Sequence, residues 1–540
     1  MAVVETSELS YVLPGGRVLF QDVAFKVGDG HHAALVGANG VGKTTLLRVI
    51  AGKDKPKRGH VHVDGHIGYM PQFIAGHGPR TVRAFLVSLA SPRVRSAAAA
   101  LDAAERDIGG VPDETAAHLA YAHALAGWGE AGGYDAEVLW DTCTTVALAL
   151  PFAAVADRAL STLSGGEQKR LALEALFRSD ADLLLLDEPD NFLDIPGKEW
   201  LERTIATSPR TILYVSHDRA LLANTSTRVV TLEAGGAWTH PASFATYHDA
   251  RARRLDAIDE ERKLFTRERD RLEAVMKEFK RKAAYNSDMA SRAQAAQARL
   301  HRFEERNAPR ARPRDQDVRI RLGGGRTGKL ALRIEALALP GIVAPFDTEI
   351  LFGERVGIVG PNGSGKSHFV RLLAGEPIAH EGAWKLGARV EPSLFSQLHD
   401  RPDLGDDSIV EVLRARGLLL GDAMATLRRY ELHDDAHSPF SRLSGGQQAR
   451  FQLLVMEREN PTMLLLDEPT DNLDIDSAEA LEKGLAGYQG TVLVVTHDRW
   501  FMRLLDRFLV FNHDGTVTEA AESPYPIAAH ADTGQPPSVR

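Results

Sequence analysis

The chain is 540 residues long, enough for two or three domains, and its 44% hydrophobic content is that of an ordinary soluble protein. Its 73 acidic and 64 basic residues leave a net charge of −9, so it is not coated in basic charge. The one cysteine, Cys143, excludes an internal disulfide framework, and the longest apolar candidate for a span, Val146 to Ala156, is too short and contains Pro151. The first ten residues, "MAVVETSELS", hold no basic region followed by an apolar core, so no secretory signal is expected there.

In chain order, the apolar "AALV" is followed by "GANGVGKTT" (Gly37 to Thr45). A strand running through a Gly-rich loop into a helix is the phosphate-cradling arrangement. Gly37, Gly40 and Gly42 let backbone N–H groups converge on phosphate oxygens, with Asn39 in the loop. Lys43 reaches the terminal phosphates, and Thr44, next to Thr45, offers its hydroxyl to Mg²⁺. About 83–150 the sequence turns rich in Ala and Leu and reads as a helical excursion. "LSGGEQKR" (Leu163 to Arg170) follows. Then "LLLLDEPDNFLD" (183–194) reads as a buried strand that meets solvent at Asp187, which can hold Mg²⁺, and Glu188, which can orient a water.

The connector at about 246–310 changes character. Ile258, Phe265, Leu272 and Phe279 recur every seven residues, and Met289, Ala293, Ala296, Leu300 and Phe303 form a second stripe. Two antiparallel helices are expected, the first about 34 residues long, with Asn286, Ser287 and Asp288 as turn and cap. Residues 251–310 hold 17 basic and 11 acidic side chains, an excess of +6 in an otherwise acidic chain. Lys277, Lys280, Arg281, Lys282, Arg292 and Arg299 gather the positive charge around the tip and return helix, which suits phosphate contacts on RNA, and Tyr285 could stack on an exposed base.

Most landmarks then recur. "GPNGSGKSH" supplies Gly360, Asn362, Gly363, Gly365, Lys366, Ser367 and His368; "LSGGQQAR" begins at Leu443; "MLLLDEPTDNLD" carries Asp467 and Glu468. Glu188 to Glu468, Ser164 to Ser444 and His217 to His497 are each 280 residues, whereas Lys43 to Lys366 is 323, so the first copy carries extra sequence. The fold class is α/β, with first copy 1–245, linker 246–310, second copy 311–522 and a Pro-rich tail 523–540 expected to lack structure.

With these motifs in hand, nearly the whole chain resembles the ATP-binding cassette superfamily: two tandem P-loop cassettes joined by the two-helix linker, with a helical arm in the first. The resemblance implies that Ser164, Gly165 and Gly166, and Ser444, Gly445 and Gly446, meet the γ-phosphate held by the opposite cassette. It implies that His217 and His497 act as switches on that phosphate, that Gln72 and Gln397 contact Mg²⁺, and that Tyr11 stacks on adenine. Leu339 stands in the second copy where Tyr11 stands in the first. If the cassettes stack head to tail, Lys43 faces Ser444 and Lys366 faces Ser164. ATP and Mg²⁺ are the implied ligands and ATP hydrolysis the reaction, with Glu188 and Glu468 as catalytic carboxylates.

Two cassettes, a helical arm and a charged linker are similar in arrangement to the ABC-F family, whose members act on ribosomes through a linker that enters the tRNA exit site. That implies a cytoplasmic, monomeric chain partnered by ribosomal RNA and tRNA, either regulating translation or protecting the ribosome from antibiotics. The short tip, about seven residues, leans toward regulation. Two alternatives stay open at this point: the energising subunit of a multicomponent exporter and a DNA-repair ATPase.

Overall fold

A computed structural model describes residues 2–74, 81–108, 114–233, 235–283, 288–309, 312–313, 318–396, 404 and 406–525. The chain forms two compact units: Met1–Ser243 with Gln316–Arg540, and Phe244–Asp315.

The first unit contains two copies of one architecture. Short all-apolar runs bounded by turn residues form strands buried on both faces, as a central parallel sheet requires. In the first copy the six-stranded sheet runs in the order Ile67–Met70, Leu183–Asp187, Thr211–Val215, His32–Val36, Arg228–Glu233, Gly236–His240; the last strand alone is antiparallel. In the second copy the order is Pro392–Phe395, Met463–Asp467, Thr491–Val495, Arg355–Val359, Arg507–Phe511, Val517–Ala520, again with an antiparallel last strand. Each copy adds a three-stranded antiparallel sheet, centred on Val4–Val12 and on Leu330–Leu339. Both central strands of these small sheets carry a register shift and a residue with positive φ at the same place, Glu8 and Ala336. By that register Tyr11 and Leu339 occupy equivalent positions.

The extra sequence of the first copy is helical: Val82–Leu89, Pro92–Asp107, Glu114–Glu130 and Gly133–Leu148. Trp128 and Trp140 are buried there, 6.2 Å apart between ring centroids, and Trp140 lies 5.5 Å from Phe152, so aromatic packing holds the arm together. Among the described residues no helix is long and apolar enough to cross a membrane.

The second unit is a pair of helices, Tyr247–Ala283 and Asp288–Asn307. Their antiparallel sense follows from two contacts: Phe265 stacks on Phe303 at 5.1 Å, and Asp259 pairs with Arg312 at 2.7 Å. Ile258, Leu272 and Ala293 are buried along the seam. The first helix has 37 residues rather than about 34, because it begins at Tyr247, whose ring stacks on Phe244 at 5.3 Å ahead of the heptad stripe. Tyr285, Asn286 and Ser287 lie outside the described residues, as do the side chain of Asp288 and positions 526–540 of the tail.

Candidate ATP sites between the paired cassettes

Each phosphate loop joins a central strand to an eight-residue helix that begins at the loop lysine, Lys43–Ile50 or Lys366–Leu373. Glycine is required at the loop entrance by conformation and by space. Gly37 and Gly360 have φ of 149° and 147°, and a Cβ at either would press on a backbone carbonyl, that of Leu232 or Phe511. Lys43 Nζ donates to the carbonyls of Gly37 and Ala38 at 2.8 and 3.2 Å; Lys366 Nζ donates to those of Gly360 and Pro361 at 2.9 and 2.7 Å. Both ammoniums thus curl over their own loops, and burial pulls both pKa values down from the usual lysine range.

The acidic corners stand beside these loops. Ser367 Oγ donates to Asp467 Oδ1 at 3.0 Å, which brings two oxygen donors together, whereas at the first corner both Asp187 carboxylate oxygens are buried without a hydrogen-bond partner among the described residues. Burial raises both aspartates above the ordinary carboxylate range. Glu188 and Glu468 adopt left-handed backbone, φ 48° and 47°, where their N–H groups donate to Val215 and Val495 on the neighbouring strand at 2.9 and 3.0 Å. That conformation ends the strand and turns each glutamate side chain toward the histidine that follows the neighbouring strand: His497 Nε2 lies 3.4 Å from Glu468 Oε1, and His217 Nε2 lies 4.0 Å from Glu188 Oε1. Burial drives His217 down to about 3, so its imidazole is neutral, and neither ring nitrogen has a hydrogen-bond partner among the described residues. A buried, unsatisfied donor and acceptor facing the loop lysine fits a phosphate oxygen as its missing partner.

The two copies meet through these same elements. Asn39 of the first loop donates its backbone N–H to Asp474 Oδ2 at 3.0 Å and its side-chain amide to the Asn472 carbonyl at 3.1 Å. In reverse, Asn362 of the second loop donates to the Phe192 carbonyl at 2.8 Å. A Cβ on Gly446 would collide with the Asn39 amide, and one on Gly166 would come within 3.3 Å of the Asn362 amide. Each loop therefore abuts the Ser-Gly-Gly turn of the other copy, pairing the Lys43 loop with Ser444–Gly446 and the Lys366 loop with Ser164–Gly166. Ser164 and Ser444 cap the helices that follow them, each accepting from the backbone N–H three residues on, from Glu167 at 3.2 Å and Gln447 at 3.4 Å. Tyr11, half-buried, leans on Phe20 at 6.0 Å between centroids, whereas Leu339 is buried in the core of its copy. His368 is exposed one residue beyond Ser367, Thr45 is half-buried, and Gln397 lies outside the described residues.

Several side chains that shape the sites escape a motif scan. Asn191 joins Gln72, itself expected at the site, in donating to Glu188 Oε2, both at 2.6 Å. Asp471 stands at the position of Asn191 in the second copy, where its charge helps push Glu468 up, after burial itself. Lys169 donates to the carbonyls of Asp187 and Glu188 at 3.3 and 3.0 Å, strapping the first corner, and burial pulls its pKa down to about 8; its counterpart is Ala449. Aligning the copies at their 280-residue offset exposes each of these differences.

The donor set fits Mg²⁺, a hard cation that takes oxygen ligands: the Thr44 or Ser367 hydroxyl, the Asp187 or Asp467 carboxylate, and at the first site the Gln72 amide oxygen, since its nitrogen is engaged by Glu188. When bound, the cation supplies charge neutralisation between phosphate oxygens.

Comparison with known proteins agrees with this geometry. The ABC transporter family model matches residues 20–191 and 343–471, more than half of the chain. A protein of Mycobacteroides abscessus named an antibiotic resistance protein is 48% identical over 97% of this chain and 99% of its own length. The energy-dependent translational throttle protein EttA of Escherichia coli is 30% identical over 94% of this chain and 91% of its own. Among solved structures, the archaeal ABCE1 in a model of ribosome-bound Pelota and ABCE1 superimposes with a TM-score of 0.55 at 20% identity, over 95% of this chain and 78% of that one, a likeness of fold.

Proposed function

This chain belongs to the ATP-binding cassette family, in its ABC-F branch, and hydrolyses ATP; from that premise we propose that it is a cytoplasmic, monomeric factor that couples two interfacial ATPs to binding of the ribosome. The reading is supported by a relative that matches 97% of its length and is named for antibiotic resistance, and by a second named for throttling translation. The greater identity of the first favours protection of the ribosome from antibiotics over general regulation.

At each site the chemistry is attack of water on the γ-phosphate. Glu188 or Glu468 orients the water and accepts its proton. Lys43 or Lys366 leaves its loop carbonyls for the terminal phosphates, and the loop N–H groups hold the phosphate chain. The neutral histidine donates to a γ-phosphate oxygen, and the Ser-Gly-Gly turn of the other cassette closes the far side. ATP is thus the material that seals the two cassettes together, and its hydrolysis releases them.

The observation that carries the ribosome assignment is the basic hairpin. Lys277, Lys280, Arg281, Lys282, Arg292 and Arg299 are all exposed. Lys277 and Lys282 pair with Glu273 and Glu278 at 2.7 and 2.6 Å, but among the described residues Lys280, Arg281, Arg292 and Arg299 have no ion-pair partner. We assign these residues, with Tyr285, to contacts with ribosomal RNA or tRNA. An exporter subunit has no use for such a surface. Sedimentation with ribosomes, with and without the tip charges, tests the assignment.

A further inference from the structure

Among the described residues, two of the charged contacts between the cassettes are related by the 280-residue repeat, and a buried one is not. Arg219 pairs with Glu482, and its counterpart Arg499 pairs with Glu202, so these two bridges are related by the duplication. Lys198 has no such image. It is buried in the helix Ile195–Thr207 of the first cassette, and the equivalent residue of the second cassette is Ala478, also buried. Lys198 Nζ lies 3.1 Å from Asp218 Oδ2, next to His217, and donates across the interface to the carbonyl of His497 at 3.4 Å. Burial works against the charge of this ammonium, but the carboxylates of Asp218, Asp190, Asp471 and Asp498 around it outweigh burial and hold its pKa above the usual lysine range.

We propose that Lys198 is a positioning residue for the second ATP site, supplied by the first cassette, which fixes the backbone of the switch histidine His497 against Glu468. His497 has little freedom along its other contacts: its N–H donates to Glu468 Oε2 at 3.1 Å and its Nε2 lies 3.4 Å from Oε1 of the same residue. Holding the carbonyl from the far side therefore sets where the imidazole stands relative to the carboxylate. The first site has no equivalent, because the methyl group of Ala478 cannot donate to the His217 carbonyl. There the corner is held from within the same cassette, by Lys169 on the Asp187 and Glu188 carbonyls and by Asn191 on Glu188. The two acidic corners are thus supported by different means, one from its own cassette and one across the interface, so the Glu468–His497 pair is held in place only when the cassettes meet.

The proposal rests on the assignment of Glu188, Glu468 and His497 to the two sites, and the experiment separates the two claims. Turnover at the second site is read in a Glu188→Gln background and at the first in a Glu468→Gln background, with Mg²⁺ and ATP. Lys198→Met should lower kcat at the second site about tenfold with KM for ATP nearly unchanged, within the usual span of coupling between sites, and leave the first site within about threefold. Lys198→Arg, which keeps the buried charge but reaches the carbonyl with different geometry, should show the same site selectivity in smaller measure. Equal loss at both sites, or loss through KM alone, would overturn the proposal and reduce Lys198 to a structural ion. His497→Ala in the Glu188→Gln background is the control. If it leaves second-site turnover intact, the site assignment itself is wrong, and the proposal falls with it.

Discussion

The side-chain amide of Asn191 donates to Glu188 Oε2 at 2.6 Å, and the residue in its place 280 positions later is the carboxylate Asp471. Glu188, the proposed catalytic carboxylate of the first site, is therefore gripped by two amides, those of Asn191 and Gln72, while Glu468 faces a like charge. Asp471→Asn, read in a Glu188→Gln background, should raise second-site turnover severalfold, about the effect of replacing repulsion with one hydrogen bond to a charged group. Asn191→Asp, read in a Glu468→Gln background, should lower first-site turnover by a similar factor. Steady-state ATPase assays check both, and unchanged rates in both would show that this position does not tune the glutamate.

Glu188→Gln together with Glu468→Gln keeps the shape of both corners and removes the carboxylates proposed to take the proton. The double variant should lose ATP turnover by at least about a hundredfold, the lower range for general base catalysis. It should retain ATP and hold the cassettes closed, which a phosphate-release assay and a nucleotide-retention assay measure together.

Much of the site was legible from local sequence because its chemistry is local. A strand, a Gly-rich loop and a lysine within twelve residues can be read directly, and so can an Asp-Glu pair ending an apolar run. The pairing of Asn39 with Asp474, or of Lys198 with His497, joins residues hundreds of positions apart, and no periodicity encodes it. Beyond Tyr11 against Leu339 and the extra length of the first copy, further differences between the copies were present but unread. Asn191 against Asp471, Lys169 against Ala449 and Lys198 against Ala478 are visible once the repeats are aligned, yet their meaning depends on which carbonyl or carboxylate each side chain reaches. The length of the first linker helix was underestimated for a related reason: its first turns are held by Phe244 and Tyr247, outside the heptad stripe.

With Tyr11 proposed to stack on adenine and Leu339 in its place in the second copy, the two sites are expected to be unequal toward the base. Stacking of a base on an aromatic ring contributes about 1–3 kcal/mol, so Tyr11→Ala should weaken nucleotide binding about tenfold at the first site and leave the second unchanged. Titration of a fluorescent ATP analogue against the Tyr11→Ala variant with one phosphate loop disabled at a time resolves the sites. Equal weakening at both would remove adenine stacking as the role of Tyr11.

The exposed tip charges should act on the ribosome and not on ATP. Changing Lys280, Arg281, Lys282 and Arg292 to Ala should lower ribosome affinity and flatten its dependence on salt, since fewer counterions are released per complex. Intrinsic ATPase activity should stay within about twofold, because none of these side chains belongs to the phosphate-loop, acidic-corner or Ser-Gly-Gly elements that build the sites. A loss of ATPase activity without loss of ribosome binding would reverse this division of labour.

The central claim, that sealing two ATPs between the cassettes commits this protein to the ribosome, is tested most directly by sedimenting the Glu188→Gln, Glu468→Gln double variant with ribosomes in ATP at low salt. Co-sedimentation that requires ATP, and that falls when the four tip charges are removed, is the predicted result. If the ATP-loaded variant stays in the supernatant at every salt concentration, the ribosome is not its partner and the account is contradicted.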